Sequence, residues 1–286
     1  MPCNFGKSLG RSRLALTFVL VLTSTFSMGG ALGQEVVRVG GTGLGTLLMQ
    51  RIAESYLKGR PDAQVKVLMP PLGSNGGLRA LDANTIQLAI VTFPAIFPAK
   101  SEADSTRKAV LWLTTPLVFT GRDIKTGEGF TLDQVADIYA SRTTHWKDGT
   151  PVRLIARTDR ESDTRILRSL SPQLEAAVAQ SLSRTGIPFA ENDFDAQQML
   201  EKTPGSFGTV GLGQLLLSES SLRPAAINRV VPTTDALRGK AYPIEKPLYL
   251  VTSASPSAAT VDLMTYLGSP EVMNIARRLG FAPLQH

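Results

Sequence analysis

A single cysteine and two histidines serve a chain of 286 residues. Cys3 has no second thiol to pair with, so the chain cannot carry an internal disulfide framework. His145 and His286 belong to no His/Cys/carboxylate group at metal-ligand spacing, and no metal or cofactor is expected. No Gly-x-Ser-x-Gly turn is present. A Ser-His-Asp triad would therefore depend on His145, which stands in a polar Thr-Thr-His-Trp loop. Without a general base the chain is expected not to be an enzyme. Aromatic residues make up only 6%, and no basic run or aromatic-interleaved basic patch occurs, which argues against nucleic acid as a partner. Repeats and low-complexity tracts are missing too. No apolar run reaches the ~20 residues that cross a bilayer.

The longest apolar run, Leu14–Phe26, follows Lys7, Arg11 and Arg13 and precedes Ala31-Leu32-Gly33. A basic start, a short apolar middle and a small-x-small end form a secretory signal, expected to be cleaved after residue 33. Cys3 would leave with it, in a position that rules out a lipoprotein signal. So would three basic residues and no acid, which lowers the formal net charge from +6 to +3. The expected location is the periplasm. The remaining length suits one large domain or two lobes.

The rest alternates between strand-like and helix-like segments. VVRVGG (36–41) reads as a buried strand. GTLLMQRIAESYLKGR reads as a helix with Leu48, Ile52 and Tyr56 on one face, stopped by Gly59 and Pro61. AQVKVLMP is a second strand, PLGSNGG a loop, LRALDAN a short helix and IQLAIVTFP a third strand. This β-α-β-α-β order predicts parallel strands with right-handed crossovers. AVLWLTTPLVFTGR (109–122) reads either as two strands or as one strand crossing between lobes. Thr131 is a predicted N-cap. PVRLIAR, GTVGLGQLLL and PLYLVTS read as strands. AATVDLMTYLGS and PEVMNIARRLG read as two closing helices. The predicted fold class is α/β and two-lobed, each lobe a central, mostly parallel sheet flanked by helices. Lobe 1 is expected at 34–114 plus 243–286, and lobe 2 at 115–242.

The loop VRVGGTGLGTLL (37–48) decides what kind of ligand is expected. A dinucleotide loop needs G-x-G-x-x-G and an acid at the end of the next strand. From Gly41 the third glycine position is Thr46, and the next strand ends in Leu68-Met69-Pro70. No Gly-Lys-Ser/Thr follows either. What remains is a glycine-rich turn opening a helix, whose free N–H groups attract an anion. Thr42 or Thr46 can add a hydroxyl. The arrangement recurs at Gly73-Ser74-Asn75-Gly76-Gly77 and at Glu161-Ser162-Asp163-Thr164, the latter close to Arg157, with Arg160 as a rival cation. Each lies after a predicted strand, where open α/β sheets place ligands.

Taken with VGGTGLGTLLMQRIAESYLK, PPLGSNGGLRAL, FTLDQVADIYASRTTHWKDGTPVRLIAR, ARTDRESDTRILRSL, GSFGTVGLGQ, YPIEKPLYLVTS and SPEVMNIARRLGFAPL, the chain resembles the periplasmic phosphate-binding proteins of the type II periplasmic binding fold. The resemblance implies capture of a small oxyanion between two lobes by a monomer, and delivery to an inner-membrane ABC permease. It implies ligand donors at Thr42, Gly43 and Leu44 from one lobe, joined by Ser74 and Asn75. Arg157, Ser162 and Thr164 would close from the other.

Two positions depart from the family pattern. Thr92 stands where the family has an Asp that accepts the proton of hydrogen phosphate, and a hydroxyl cannot enforce that choice. Asp163 replaces the Gly of Ser-Gly-Thr. It serves either its own helix N-terminus or proton acceptance from the ligand. The alternative function is a periplasmic signalling or scaffold module that keeps the fold without high-affinity anion transport.

Overall fold

A computed structural model describes residues 35–92, 106–124 and 129–283. The expected signal segment 1–33 lies outside them. The first strand and helix are β1 (Val36–Gly41) and α1 (Gly43–Lys58). Then come β2 (Gln64–Val67), α2 (Gly73–Asp82) and β3 (Leu88–Val91). β1 pairs in parallel with β2 and with β3, as the β-α-β-α-β order predicts. α1 forms because Leu48, Met49, Ile52 and Tyr56 fall on one buried face, Thr42 caps its start, and Gly59 ends it.

The long apolar stretch is one strand, β4 (Arg107–Thr120). After it come α3 (Leu132–Tyr139), β5 (Arg153–Leu154) and β6 (Ala156–Arg157). Thr131 caps α3 in a reciprocal capping box with Gln134. Next are α4 (Ser162–Leu170), α5 (Pro172–Leu182), β7 (Phe189–Ala190) and α6 (Asp193–Lys202). β8 (Ser206–Gly211), α7 (Leu212–Leu217) and α8 (Thr234–Arg238) lead to β9 (Glu245–Ser253). α9 (Ala258–Leu267), α10 (Pro270–Arg278) and β10 (Ala282–Pro283) finish the described chain.

The main sheet runs β2-β1-β3-β9-β4-β8-β5, with β10 on β4, and β6-β7 form a separate pair. β5 runs parallel to β8, and β6 to β7, while β4 and β9 are antiparallel to each other at the centre. β4 contributes to the cores of both halves of the sheet, with Val118 in a third cluster beside β8 and α6. Trp112 and Leu113 pack in an apolar cluster with α1, β1 and α10. Leu117 and Phe119 pack in another with α3, α4 and α5. β9 also meets both: Leu248 and Leu250 join the first, and Ile244 just before it joins the second. The fold is therefore two-lobed, with the change of core falling where Thr115 pairs with Lys246. Among the described residues, no helix is long and apolar enough to cross a membrane.

Three segments differ from the sequence expectation. α2 begins at Gly73, inside the stretch expected to be a loop. Glycine disfavours a helix, but here it permits close packing: a Cβ on Gly77 would stand 3.0 Å from Gly41 Cα. GTVGLGQLLL divides into the end of β8 and α7. PVRLIAR divides into β5 and β6, which pair with different partners.

Gly41 is the tightest point of the first lobe. Its φ is +142°, and a Cβ there would lie 2.0 Å from the Ile90 carbonyl oxygen. Gly41→Ala is expected to destabilise the protein by about 2–5 kcal/mol, combining backbone strain with overpacking. Chemical unfolding measures this, and a loss below ~1 kcal/mol would contradict the close contact.

Candidate functional site

The opening loop forms as a capped helix start. Thr42 Oγ1 accepts from Gly45 N–H at 3.0 Å, and Thr46 Oγ1 donates to the carbonyls of Thr42 and Gly43. Both hydroxyls are thus used within the first turn. The next free amide, Leu44 N–H, donates to Asp193 Oδ2 at 3.1 Å. Asp193 is the first residue of α6, so the two helix starts meet head to head. A Cβ on Gly43 would stand 3.0 Å from Asp193 Cβ and from the Phe194 ring, so glycine gives the approach its room.

Asp193 is 3% exposed and lies within a buried ionic cluster. Lys246 Nζ donates to Asp193 Oδ1 at 2.7 Å and to Asp163 Oδ1 at 2.6 Å. Arg157 donates from Nη1 and Nη2 to Asp193 Oδ1 at 3.3 Å, and from Nη2 to Glu161 Oε2 at 2.6 Å. A 3.5 Å contact links Arg157 to Asp163. Thr209 Oγ1 donates to Asp163 Oδ2 at 3.0 Å. Two cations therefore face three carboxylates, with Glu161 the most exposed of the five. Burial alone would raise the Asp193 carboxyl. The Lys246 and Arg157 charges, with hydrogen bonds from Lys246 and Leu44 N–H, outweigh it and hold Asp193 well below the usual carboxylate range. Burial would lower Lys246, but the charges of Asp163 and Asp193 hold it above its ordinary value.

Above this cluster lies a cavity of about 290 Å³. Gly73, Ser74, Asn75 and Gly76 line one wall, and Thr158, Arg160, Glu161 and Ser162 the other. Arg79, Arg165, Glu191 and Asn192 also reach it. The wall residues belong to the starts of α2 and α4, which share a distinctive property. Side chains cap α1, α3, α5, α6, α8, α9 and α10, whereas α2, α4 and α7 carry no side-chain cap; of these three, α7 has its Gly213 N–H taken by Thr115 Oγ1, and only α2 and α4 border the cavity. Among the described residues no ion pair engages Arg79, Arg160 or Arg165. Against Glu161 and Glu191, these three arginines leave the lining with one net positive charge.

The sequence-derived site residues therefore divide into two layers. Ser74, Asn75 and Ser162 line the cavity. Thr92 lies just behind it, with its N–H donating to Ser74 Oγ at 3.2 Å and its hydroxyl 3.1 Å from the same oxygen. Thr42, Gly43, Leu44, Arg157, Asp163 and Thr164 are in the buried layer. There Thr164 Oγ1 donates to the carbonyls of Arg157 and Thr158. Asp163 forms ion pairs with Lys246 and Arg157, a role the two alternatives for it did not include. Sequence reasoning missed Asp193, Lys246, Arg79 and Glu191. A signal for Lys246 existed: in EKPLYLV it shares the inward alternation with Leu248 and Leu250. Trp146 packs against Phe130 and Phe207.

Removing one partner of a buried pair strands the other charges. Lys246→Met is expected to lose about 3–5 kcal/mol in chemical unfolding; a loss under ~1 kcal/mol would contradict the paired geometry. Acid titration gives a second check. Because the folded state depresses Asp193, its stabilisation is complete above the unfolded value of about 4 and disappears as pH falls through the lower folded value. Asp193→Asn is expected to flatten the stability–pH curve below about pH 4 by up to ~1.4 kcal/mol per pH unit. An unchanged slope would remove Asp193 as the source.

The PBP superfamily domain model matches residues 28–271. Among solved structures, one similar fold is a protein assigned as a phosphate ABC transporter substrate-binding protein with bound phosphate, from Clostridium perfringens. It has a TM-score of 0.72 and 15% identity over 88% of this chain and 100% of that one. A high-affinity periplasmic phosphate-binding protein (PfluDING), bound with phosphate, gives 0.66 and 13% over 87% and 91%. An ABC-type phosphate transport receptor from Vibrio cholerae gives 0.61 and 16% over 87% and 99%. No curated protein matches the sequence significantly. At these identities the structures establish a shared fold, while the family match spans most of the chain: it belongs to the PBP superfamily.

Proposed function

We propose that this protein is an exported solute-binding protein that captures a small oxyanion, phosphate foremost, between its lobes and presents it to an inner-membrane ABC permease. In this reading the chain works in the periplasm as a monomer, with lobe 1 at 34–114 plus 243–286 and lobe 2 at 115–242. The observation that carries it is the pair of uncapped helix starts opening on one cavity. Amides at a helix start need an acceptor, and the dipole favours a negative one. Here Ser74, Asn75 and Ser162 offer their N–H and side-chain groups from opposite walls. Arg160, with Arg79 and Arg165, supplies the charge that Arg157 cannot, because Arg157 is already matched by its own carboxylates. The phosphate-bound relatives of the same fold support phosphate as the first ligand to test.

The cancelled charge around Arg157 also favours a second reading, a signalling or scaffold module without high-affinity capture. Calorimetry and thermal shift with phosphate, sulfate, molybdate and carboxylates separate the two. Capture predicts saturable stabilisation of about 2.7 kcal/mol at a hundredfold excess over Kd. Arg160→Ala should weaken phosphate about 10–100-fold, the worth of a hydrogen bond to a charged group. No response to any anion would favour the scaffold, and full affinity in Arg160→Ala would move the ligand away from this cavity.

A further inference from the structure

We propose that Asp193 is a tethered anion: its carboxylate fills an inner anion seat at the start of α1, so the chain carries its own occupant there and leaves only the outer cavity to a free solute. The seat has the parts that a bound carboxylate requires. Leu44 N–H approaches one oxygen of Asp193 at 3.1 Å. Lys246 Nζ and the Arg157 guanidinium converge on the other at 2.7 and 3.3 Å. The donors come from separate parts of the fold: α1, the β9 crossing strand and β6. Helix α1 points its positive end at the carboxylate, the arrangement by which helix starts hold free anions. Arg157 Nε remains buried without a hydrogen-bond partner, so the seat keeps donor capacity that Asp193 does not use.

The arrangement has a consequence for specificity. A free oxyanion can reach the inner donors only by displacing a carboxylate held by two buried cations, and Glu161 and Asp163 already match those cations. The ligand is thereby confined to the mouth formed by α2 and α4. Asp193 also ties α6 to α1, so these elements remain joined without a solute. The claim about the seat rests on the ionic geometry alone. Only the confinement of the solute rests on the capture reading.

The test uses the full chain with sodium formate and inorganic phosphate as probes. Asp193→Ala removes the tethered carboxylate and leaves space for formate beside intact donors. It is expected to melt lower than wild type and to recover in a saturable manner, by about 5–10 °C at a hundredfold excess of formate over its Kd. Wild type should not respond to formate. Asp193→Asn fills the same space with an amide and should gain nothing from formate. Asp193→Ala with Lys246→Met should also lose the rescue.

If Asp193→Ala does not fold alone, refolding in formate supports the proposal, and failure to refold in formate overturns it. A formate response equal in wild type, Asp193→Asn and Asp193→Ala is a general salt effect and overturns it as well. Phosphate binding to wild type is measured in parallel. A wild type that ignores phosphate while Asp193→Ala takes formate sinks the capture reading and leaves the tethered anion standing. The reverse pattern sinks the tethered anion alone.

Discussion

Two buried cations and two fully buried carboxylates, far apart in sequence, meet at the centre of this protein. Asp163 and Lys246 are 83 residues apart, and Arg157 and Asp193 are 36 apart. Bringing such charges out of water is unfavourable unless each finds partners, and removing any one leaves the others stranded. The cluster therefore acts as a constraint on everything around it. α4 must present Asp163, α6 must present Asp193, and β9 must place Lys246 where β4 changes core. An arrangement that separates these elements would expose unpaired charge to a dry interior. Specificity of this kind can exceed what the ion pairs contribute to net stability.

This constraint also explains why the site has two layers. The first glycine-rich turn resembles an anion loop in sequence and has the matching backbone, yet its available amide is already taken by Asp193. The second and third turns remain open because neither Leu72 nor Glu161, at their N-cap positions, supplies a capping bond. Arg157 is buried and compensated, whereas Arg160 is exposed at the cavity. Two arginines three residues apart thus take opposite tasks, one internal and one facing solvent.

The elements that could be read from sequence are those whose signal is local. β1, α1 and the closing helices follow from apolar periodicity with Thr, Ser or Gly at their ends. The start of α2 escaped because glycine propensity points to a loop, while packing of Gly77 on Gly41 favours the helix. The ionic cluster escaped for a different reason. Asp193 reads as an ordinary acid in a helix first turn, and nothing near it in the chain announces Lys246 or Leu44. The three turns read in the sequence as candidates for anion binding. Which of them had its acceptor built in was decided by contacts across 149 residues, and no window of sequence contains them.

The pairing of Thr115 with Lys246 has one more implication. The segment between them leaves the first core on β4 and returns on the neighbouring strand β9, so its two ends are side by side, about 5 Å apart as in any paired ladder. Topologically it is a long excursion with abutting ends. Such a segment can be exchanged where its replacement again supplies acceptors for the buried Lys246 ammonium and for Leu44 N–H, the partners that Asp163 and Asp193 now provide. Related chains could thus remodel one wall of the cavity by recombination at two adjacent points, with the host sheet and its α2 wall inherited unchanged.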